Sequence, residues 1–271
     1  MHPETFFNHK NEIISRLQKL CFMLGLSGLK IPDYRVEVLE ILCDAINDVL
    51  EYYKIDNNAF WEKYYSWEER EKELFENSKN LEEFYKSWNG ISAELNICAN
   101  VVNQMIWWEN YNVISYFFKN SKHIIDYGCG TAVLTVGLAL KKKISGTILL
   151  LDVPNDVNKF VKYRLDKHKL TNISFINVFD YNQENIADGV ICLDVLEHLP
   201  NSSDIFINKI SPVLKRGGVL FMRAPWRGQL THIGGAADNF YRAGGRKFLG
   251  RNFRELYRLN PLDINCVYRK K

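Results

Sequence analysis

The feature that most constrains the fold is a short apolar strand that ends in a glycine-rich turn. Residues 124–135 read Ile-Ile-Asp-Tyr-Gly-Cys-Gly-Thr-Ala-Val-Leu-Thr, so Asp126 stands two positions before the first of two glycines, Gly128 and Gly130. A turn between a strand and a helix needs glycine where backbone N–H groups must approach a ligand without an intervening Cβ, or where φ is positive. The run therefore predicts a strand–turn–helix unit at a nucleotide-binding site.

Later apolar runs also end in a carboxylate. The runs and the aspartates that follow them are 146–151 with Asp152, 173–179 with Asp180, and 189–193 with Asp194. A further apolar run covers 217–223, and helical patterns over 131–143, 156–169 and 204–214 separate the strands. This alternation predicts an α/β fold with a Rossmann-like, doubly wound, mostly parallel sheet, in which a ligand binds at the carboxyl ends of the strands.

Two classes of cofactor use a turn of this kind. A dinucleotide site with the pattern Gly-x-Gly-x-x-Gly needs a third glycine where this chain has Val133, and it normally lacks an acidic residue two positions before the first glycine. The order Asp126, Gly128, Gly130 instead resembles motif I of the class I S-adenosylmethionine-dependent methyltransferases. Ala132 stands where many members of that family carry a third glycine.

The resemblance covers residues 122–226 and implies S-adenosylmethionine as the methyl donor, with S-adenosylhomocysteine as the product. It further implies that Asp152 binds both ribose hydroxyls and that Asp180 accepts a hydrogen bond from the adenine amino group. The residues expected to bind the cofactor are Asp126, Tyr127, Gly128, Gly130, Asp152, Val153, Asp180 and Asp194.

The segment Leu-Glu-His-Leu at 196–199 looks like one that is common in small-molecule methyltransferases of the ubiquinone-biosynthesis type. Methyl transfer to a hydroxyl requires an aligned acceptor that loses its proton. His198 is the first candidate for the base, because it follows the fourth strand, and His232 is the second. A structural role for His198 in the turn is an equal alternative. We expect methylation of a small-molecule acceptor in cofactor, lipid or natural-product biosynthesis, with oxygen favoured on this segment alone.

Two other functions remain open at this stage. Asp194, Glu197 and His198 resemble the metal-binding segment of small-RNA 2′-O-methyltransferases, in which His232 would complete the set. The first position is usually glutamate in those enzymes and the segment also occurs in metal-free relatives, so no metal site is predicted. The second alternative is a protein that binds S-adenosylmethionine without transferring its methyl group.

Residues 1–120 differ from the rest because they show helical stripes of apolar residues and little strand alternation. They predict a helical cap or dimerisation domain, followed by the S-adenosylmethionine-binding domain over 121–271. Such a cap would exclude water and select the acceptor. The residues expected to contact the acceptor are Trp107, Trp108, Tyr111 and Trp226. Helix packing is the commoner role of aromatic side chains, and a homodimer interface is a third possibility.

Composition sets further bounds on a chain of 271 residues with a net charge of +3. It contains no apolar run long enough to span a bilayer and no secretion signal, so a cytoplasmic protein is expected. The six cysteines are scattered without a Cys-x-x-Cys pair, which argues against zinc or iron–sulfur sites. Residues 242–271 carry nine basic and two acidic side chains, a balance of plus seven that favours an anionic or carrier-bound acceptor. Nucleic acid is not favoured, because no recognised binding motif accompanies these charges.

The C-terminal region departs from the family pattern. Family members usually finish with a helix and an antiparallel pair of strands, whereas this chain ends soon after 253–259 and 264–268. We therefore expect the last strand to be missing or displaced into residues 246–250. Glycines are frequent over 228–245, which predicts a long loop, either a hinged lid over the acceptor or an ordinary exposed connection.

Overall fold

The computed structural model describes residues 34–106, 108–225, 234–260 and 264–271. The helices are α1 (Arg35–Tyr53), α2 (Asn57–Asn77), α3 (Leu81–Lys86), α4 (Ile91–Ile106), α5 (Trp108–Phe117), α6 (Val133–Leu140), α7 (Val157–Lys167), α8 (Ser202–Ile205), α9 (Ser211–Val213), α10 (Gly234–Arg242) and α11 (Gly245–Asn252). The strands are β1 (His123–Tyr127), β2 (Thr147–Asp152), β3 (Ile173–Asn177), β4 (Ala187–Leu193), β5 (Leu214–Ala224), β6 (Phe253–Asn260) and β7 (Ile264–Lys270). Short 3₁₀ turns lie at Val178–Asp180 and Leu196–His198, and a π-helical turn, Phe206–Ile210, joins α8 to α9.

The strands form a seven-stranded sheet in the order β3-β2-β1-β4-β5-β7-β6. Strands β1 to β5 are parallel, and β1 lies between β2 and β4, with Ile125 opposite both Leu149 and Val190. Because β2 and β3 lie on one side of β1 while β4 and β5 lie on the other, the strand order reverses next to β1. Such a reversal opens a crevice at the carboxyl ends of the strands. The predicted Rossmann-like, doubly wound sheet is confirmed.

The expectation that the last strand is missing or displaced into residues 246–250 is wrong. Strands β6 and β7 form an antiparallel hairpin, and β7 enters the sheet between β5 and β6, with Cys266 opposite Met222. Residues 246–250 belong to helix α11. The outer strand β6 was hard to recognise because it lies at the sheet edge, where charged side chains such as Arg254 and Glu255 are tolerated and discourage pairing with another chain.

The long loop expected over 228–245 is also wrong for the part that the structure describes. Residues from Gly234 onwards form α10 and α11, and they pack on the α8 segment: the Phe240 ring lies 5.5 Å from that of Phe206, and Ser202 Oγ donates to the carbonyl of Ala236 at 2.7 Å. Gly244, with φ of +103°, separates the two helices. Glycine therefore marks a helix boundary here.

The two faces of the sheet support different cores, as expected from the alternation of side chains along a strand. Ile124 and Phe221 belong to the cluster that contains the apolar stripes of α1, α4 and α5, whereas Ile125 and Leu220 pack with α10 and α11. The N-terminal helices therefore cover one face. The proposed division at residue 120 stays a prediction, and residues 1–33 lie outside the described part. None of the helices in that part is both long and apolar enough to cross a bilayer.

A buried ion pair joins α1 to α7. Arg164 is 0% exposed and Asp48 is 1% exposed, and the Arg164 Nε donates to Asp48 Oδ2 at 2.8 Å. His168 Nε2 and Lys167 Nζ also reach the same carboxylate, at 2.9 and 3.0 Å. Burial acts to raise the pKa of the Asp48 carboxyl, but the hydrogen bonds from Arg164 and His168 outweigh it and hold the pKa below its ordinary value. The pair thus fixes α1 of the N-terminal half to α7, the helix that connects β2 to β3.

We expect Asp48→Ala to lower the free energy of unfolding by about 3–5 kcal/mol, because it leaves the Arg164 guanidinium buried without its anion. Urea denaturation at neutral pH measures the loss. Glu51→Ala is the matched control, since it removes an exposed carboxylate that binds Lys167 in the same network and should change stability little. Equal losses in the two variants would contradict the buried pair as the cause.

The same pair predicts an acid dependence. Since the folded pKa of Asp48 lies below that of an unfolded aspartate, about 3.9, its stabilisation is present above that pH. It is lost as the pH falls through the folded pKa. As the pH is lowered from about 5 to the acid limit of folding, the free energy of unfolding should therefore fall more for native protein than for Asp48→Ala. Urea titrations at each pH measure this. Parallel pH profiles would show that other carboxylates govern acid unfolding.

Candidate active site

The glycine-rich turn lies where β1 ends, at the reversal of strand order. Gly128 and Gly130 have φ of +73° and +54°, which confirms that both positions use the conformation favoured by glycine. The Gly128 and Cys129 N–H groups donate to the carbonyl of Leu151 at 2.8 and 3.2 Å. The turn therefore lies against the end of β2.

Neighbouring side chains leave no room for a Cβ at these glycines. A Cβ on Gly128 would lie 2.3 Å from Val195 Cγ2, and one on Gly130 would lie 3.0 Å from Gln104 Nε2. Gln104 comes from α4: its Nε2 donates to the carbonyl of Cys129 at 3.1 Å, and its Oε1 accepts from the Val133 N–H at 2.9 Å. Helix α4 of the N-terminal half thus holds the turn in place through Gln104. The sequence pattern did not reveal this contact.

Asp126 lies beneath the turn. Its carboxylate is buried and accepts a hydrogen bond from Thr135 Oγ1 in the first half of α6. Burial raises the pKa of Asp126 to about 7, and the neighbouring Asp152 carboxylate adds to the rise. The structure thus shows Asp126 fastening α6 to β1, while Tyr127 is a buried residue at the end of the strand. Their contact with a cofactor stays a prediction.

Asp152 is the last residue of β2 and is joined directly to the turn. Its Oδ2 accepts from the Gly130 N–H at 2.5 Å and its Oδ1 accepts from the Val153 N–H at 2.7 Å. Burial raises the pKa of this carboxyl, and the two backbone donors oppose that rise. Each carboxylate oxygen has a second lone pair, so the group can also accept bonds from two vicinal hydroxyls.

The end of β3 carries the predicted Asp180. It is exposed in the 3₁₀ turn, where its Oδ2 accepts from Asn177 Nδ2 at 3.0 Å. The next residue, Tyr181, packs against the core of the other sheet face, and its hydroxyl is buried without a hydrogen-bond partner among the described residues. The contact of Asp180 with a cofactor stays a prediction.

Asp194 points towards β5. Its carboxylate accepts from both Arg223 Nε, at 2.7 Å, and Arg223 Nη2, while its N–H donates to the Arg223 carbonyl at 3.0 Å. Asp194 has φ of +57°, so this pairing is held in a strained backbone conformation. Sequence reasoning missed Arg223 because a single basic residue near the end of an apolar strand carries no local signal.

Glu197 and His198 follow in the 3₁₀ turn after β4. Glu197 is 1% exposed, and burial, with the nearby Asp194 carboxylate, raises its pKa well above the ordinary value. His198 Nε2 lies 4.0 Å from Glu197 Oε1, and its ring faces Tyr85 with centroids 6.5 Å apart. Across the described ranges, no group of three or more His, Cys, Asp or Glu side chains could hold a metal ion. His232 lies outside those ranges.

A segment of the N-terminal half covers the loop that follows Asp152. The Asn155 Nδ2 donates to the Tyr85 carbonyl at 3.4 Å, the Asp156 N–H donates to the Trp88 carbonyl at 3.3 Å, and the Gly90 N–H donates to Asp156 Oδ2 at 2.9 Å. Burial raises the pKa of the Tyr85 phenol, and the Asp152 and Glu197 carboxylates add to the rise. Tyr85 therefore lies between the ends of β2 and β4, above the crevice.

Helix α5 carries two of the predicted acceptor contacts. Trp108 is buried with the Arg35 guanidinium 4.7 Å from its ring centroid, and Tyr111 is buried with its hydroxyl donating to Glu37 Oε2 at 2.5 Å. Their contact with an acceptor stays a prediction. Trp107 and Trp226 lie outside the described residues. Between the two named side chains, Glu109 is a buried carboxylate that sequence reasoning did not single out.

Comparison with known proteins gives concordant results. Residues 118–250 match the family described as a methyltransferase domain. The ubiquinone biosynthesis O-methyltransferase of Hydrogenovibrio crunogenus is 28% identical over 154 residues, which cover 50% of this chain and 61% of that protein. Its namesake from Dechloromonas aromatica is 30% identical over 103 residues, covering 37% and 43%. The chain thus spans between 43% and 61% of the length of these two relatives.

A solved structure supports the fold. An O-methyltransferase family protein from Burkholderia thailandensis is 14% identical, with a TM-score of 0.51 over 95% of this chain and 83% of that protein. Because the likeness covers nearly the whole chain, the fold that it shows includes helices that precede the sheet.

Replacement of two glycines that have similar backbone conformations should lower the free energy of unfolding by measurably different amounts. Gly128→Ala should lower the free energy of unfolding by about 2–5 kcal/mol, which combines a positive-φ cost of roughly 1–2 kcal/mol with overpacking of roughly 1–3 kcal/mol. Gly217→Ala is the control: φ is +79° there, but nothing lies within 4 Å of its Cβ, so only the first cost applies. Val195→Ala added to Gly128→Ala should recover the steric part. Equal losses at both glycines would refute crowding by Val195.

Proposed function

We propose that this chain is a class I S-adenosylmethionine-dependent methyltransferase, which transfers a methyl group from S-adenosylmethionine to a hydroxyl of a small-molecule acceptor. The names of the two relatives, which specify O-methylation in ubiquinone biosynthesis, support oxygen as the methylated atom and an acceptor of the cofactor or lipid type. When bound, S-adenosylmethionine supplies a methyl group that its sulfonium charge makes electrophilic.

The observation that carries the proposal is the junction between Asp152 and the glycine turn. The Gly130 N–H fixes one carboxylate oxygen and leaves lone pairs for the two ribose hydroxyls, at the crevice where such folds bind nucleotides. Within the described part of the chain, Thr131 Oγ1 in the turn is buried without a hydrogen-bond partner. These residues support a ligand with a ribose, and the contact of Asp180 with the adenine amino group stays a prediction.

The acceptor lies, in this proposal, between the sheet and the N-terminal helices. His198 contacts the acceptor hydroxyl, where an imidazole can share its proton in a hydrogen bond and orient the oxygen. Tyr85 excludes water, because its segment is hydrogen-bonded to the loop after β2 and its ring faces His198 after β4. Trp108, buried against the Arg35 guanidinium, is a further candidate for contact with the acceptor. Arg223 engages both oxygens of Asp194, and the contact of Asp194 with the cofactor stays a prediction.

The remaining expectations about partners rest on sequence. The surplus of basic residues over 242–271 supports an anionic or carrier-bound acceptor. Arg258 is paired with Glu255, and Lys270 Nζ donates to the carbonyls of Ser211 and Leu214, so part of this charge stabilises the C-terminal hairpin. A cytoplasmic location and a homodimer stay predictions.

Cofactor binding provides the direct test. Asp152→Ala should weaken S-adenosylmethionine binding at least 100-fold in calorimetry, because it removes the acceptor for both ribose hydroxyls and the partner of the Gly130 N–H. Asp166→Ala, an exposed carboxylate on α7, is the matched control and should bind as the native chain does. Native protein that binds no S-adenosylmethionine would overturn the proposed function.

Turnover tests the acceptor side. His198→Ala should reduce the formation of S-adenosylhomocysteine by about 10²–10⁴-fold, the range for a positioned acid or base, while cofactor affinity stays within about twofold. His123→Ala, at the exposed start of β1, is the control for removal of an imidazole. Unchanged turnover in His198→Ala would remove this residue from the mechanism.

A further inference from the structure

Helix α5 carries a buried carboxylate in its first turn. Glu109 is 5% exposed, and no side chain in the described part of the chain donates a hydrogen bond to its two oxygens. Its neighbours Trp108 and Asn110 also bury a polar atom without a partner, Nε1 and Oδ1 respectively. Because an unsatisfied buried carboxylate is costly to a fold, it is characteristic of a place that a ligand completes.

The position of Glu109 follows from the packing of its helix. Phe118, directly after α5, packs against Gly189 near the start of β4, and Glu109 lies nine residues earlier, about 13 Å along the helix. The charge of Arg223 acts on the Glu109 carboxylate, so Glu109 lies near the carboxyl ends of β4 and β5. Arg223, opposite the last residue of β4, shares a sheet face with Phe221, which packs in the same core as α5. Glu109 therefore faces the crevice on the acceptor side.

The charges around Glu109 suit a proton acceptor. Burial raises the pKa of Glu109 to about 7, and the positive charges of Arg223 from β5 and Arg35 from the start of α1 limit the rise. A base works best when its pKa lies near the working pH, because it is then both ionised and able to hold the proton. Glu197 suits this task less well, since burial and the adjacent Asp194 carboxylate both raise its pKa well above the ordinary value.

We propose that Glu109 hydrogen-bonds the acceptor hydroxyl and takes its proton, and that Arg223, anchored by Asp194, faces Glu109 and the oxygen that loses the proton. The inference rests on the proposed function, which it deepens by naming the base. The acceptor oxygen forms a bond to the methyl carbon while the carbon–sulfur bond breaks, with its electron pair passing to sulfur. The hydroxyl proton passes to Glu109 and then to water. His198 orients the acceptor.

The test compares two aromatic diols, 4-methylcatechol and 4-nitrocatechol, as probes. The nitro group makes the hydroxyl so acidic that it ionises near neutral pH without a base. Glu109→Gln should lower kcat with 4-methylcatechol about 100-fold or more, with less than about tenfold loss for 4-nitrocatechol and cofactor affinity within about twofold. The kcat of Glu109→Asp with 4-methylcatechol should lie between those of native protein and Glu109→Gln. An unchanged kcat with 4-methylcatechol, or equal losses with both probes, overturns the proposal.

The pH profile separates Glu109 from His198. The rise of kcat/KM near pH 7 should disappear in Glu109→Gln and persist, at lower activity, in His198→Ala. Glu37→Gln is the matched control. Glu37 belongs to α1 and accepts a hydrogen bond from Tyr111 of α5, and this variant should keep the native pH profile. Persistence of the rise in Glu109→Gln would show that another group takes the proton.

Binding without turnover keeps the inference testable if the proposed function fails. In the presence of S-adenosylhomocysteine, 4-nitrocatechol should bind to native protein as its coloured anion at a pH where it is protonated in solution. Glu109→Gln should reduce the visible absorbance of the bound probe. If native protein methylates neither probe, these two diols are not its acceptors, and a reduced absorbance in Glu109→Gln still supports Glu109 as the group that takes the proton. An unchanged absorbance overturns it.

Discussion

The hydrogen bond from the Gly130 N–H to the Asp152 carboxylate joins the two strand ends on which the rest of the site depends. It holds the turn after β1 against the end of β2. The N-terminal helices contact the same two places, because Gln104 binds the turn and the segment around Tyr85 binds the loop after Asp152. The crevice created by the strand order is thereby covered by elements from the distant start of the chain. The hydrogen bond between Gly130 and Asp152 thus holds together the two places to which the N-terminal helices bind.

Buried charges in this fold serve two different ends. Arg164 and Asp48 are paired and hold helices together. Glu109 and Glu197 are buried carboxylates to which, among the residues that the structure describes, no basic side chain donates a hydrogen bond, and such burial costs stability. Groups of this second kind are typical of functional sites, where stability is given up for chemistry.

Sequence patterns predicted the parallel sheet, the positive φ of Gly128 and Gly130, and the place of Asp152, because all of these arise within one strand–turn–helix unit. Gln104, Glu109 and Arg223 could not be found in this way. Each acts across elements far apart in the chain, so its meaning appears only when the helices pack on the sheet. The β6–β7 hairpin was missed for a related reason, since a charged edge strand lacks the apolar pattern of a central one.

The contacts that fasten α3 to the loop after β2 have a kinetic consequence. Three hydrogen bonds, at Tyr85 in α3 and at Trp88 and Gly90 just after it, join this segment to the loop after β2. Helix α3 has only six residues, so its opening is a local event far less costly than global unfolding. Under the proposed function, exchange of spent for fresh cofactor requires this local opening, whose frequency sets an upper limit on the number of catalytic cycles per second.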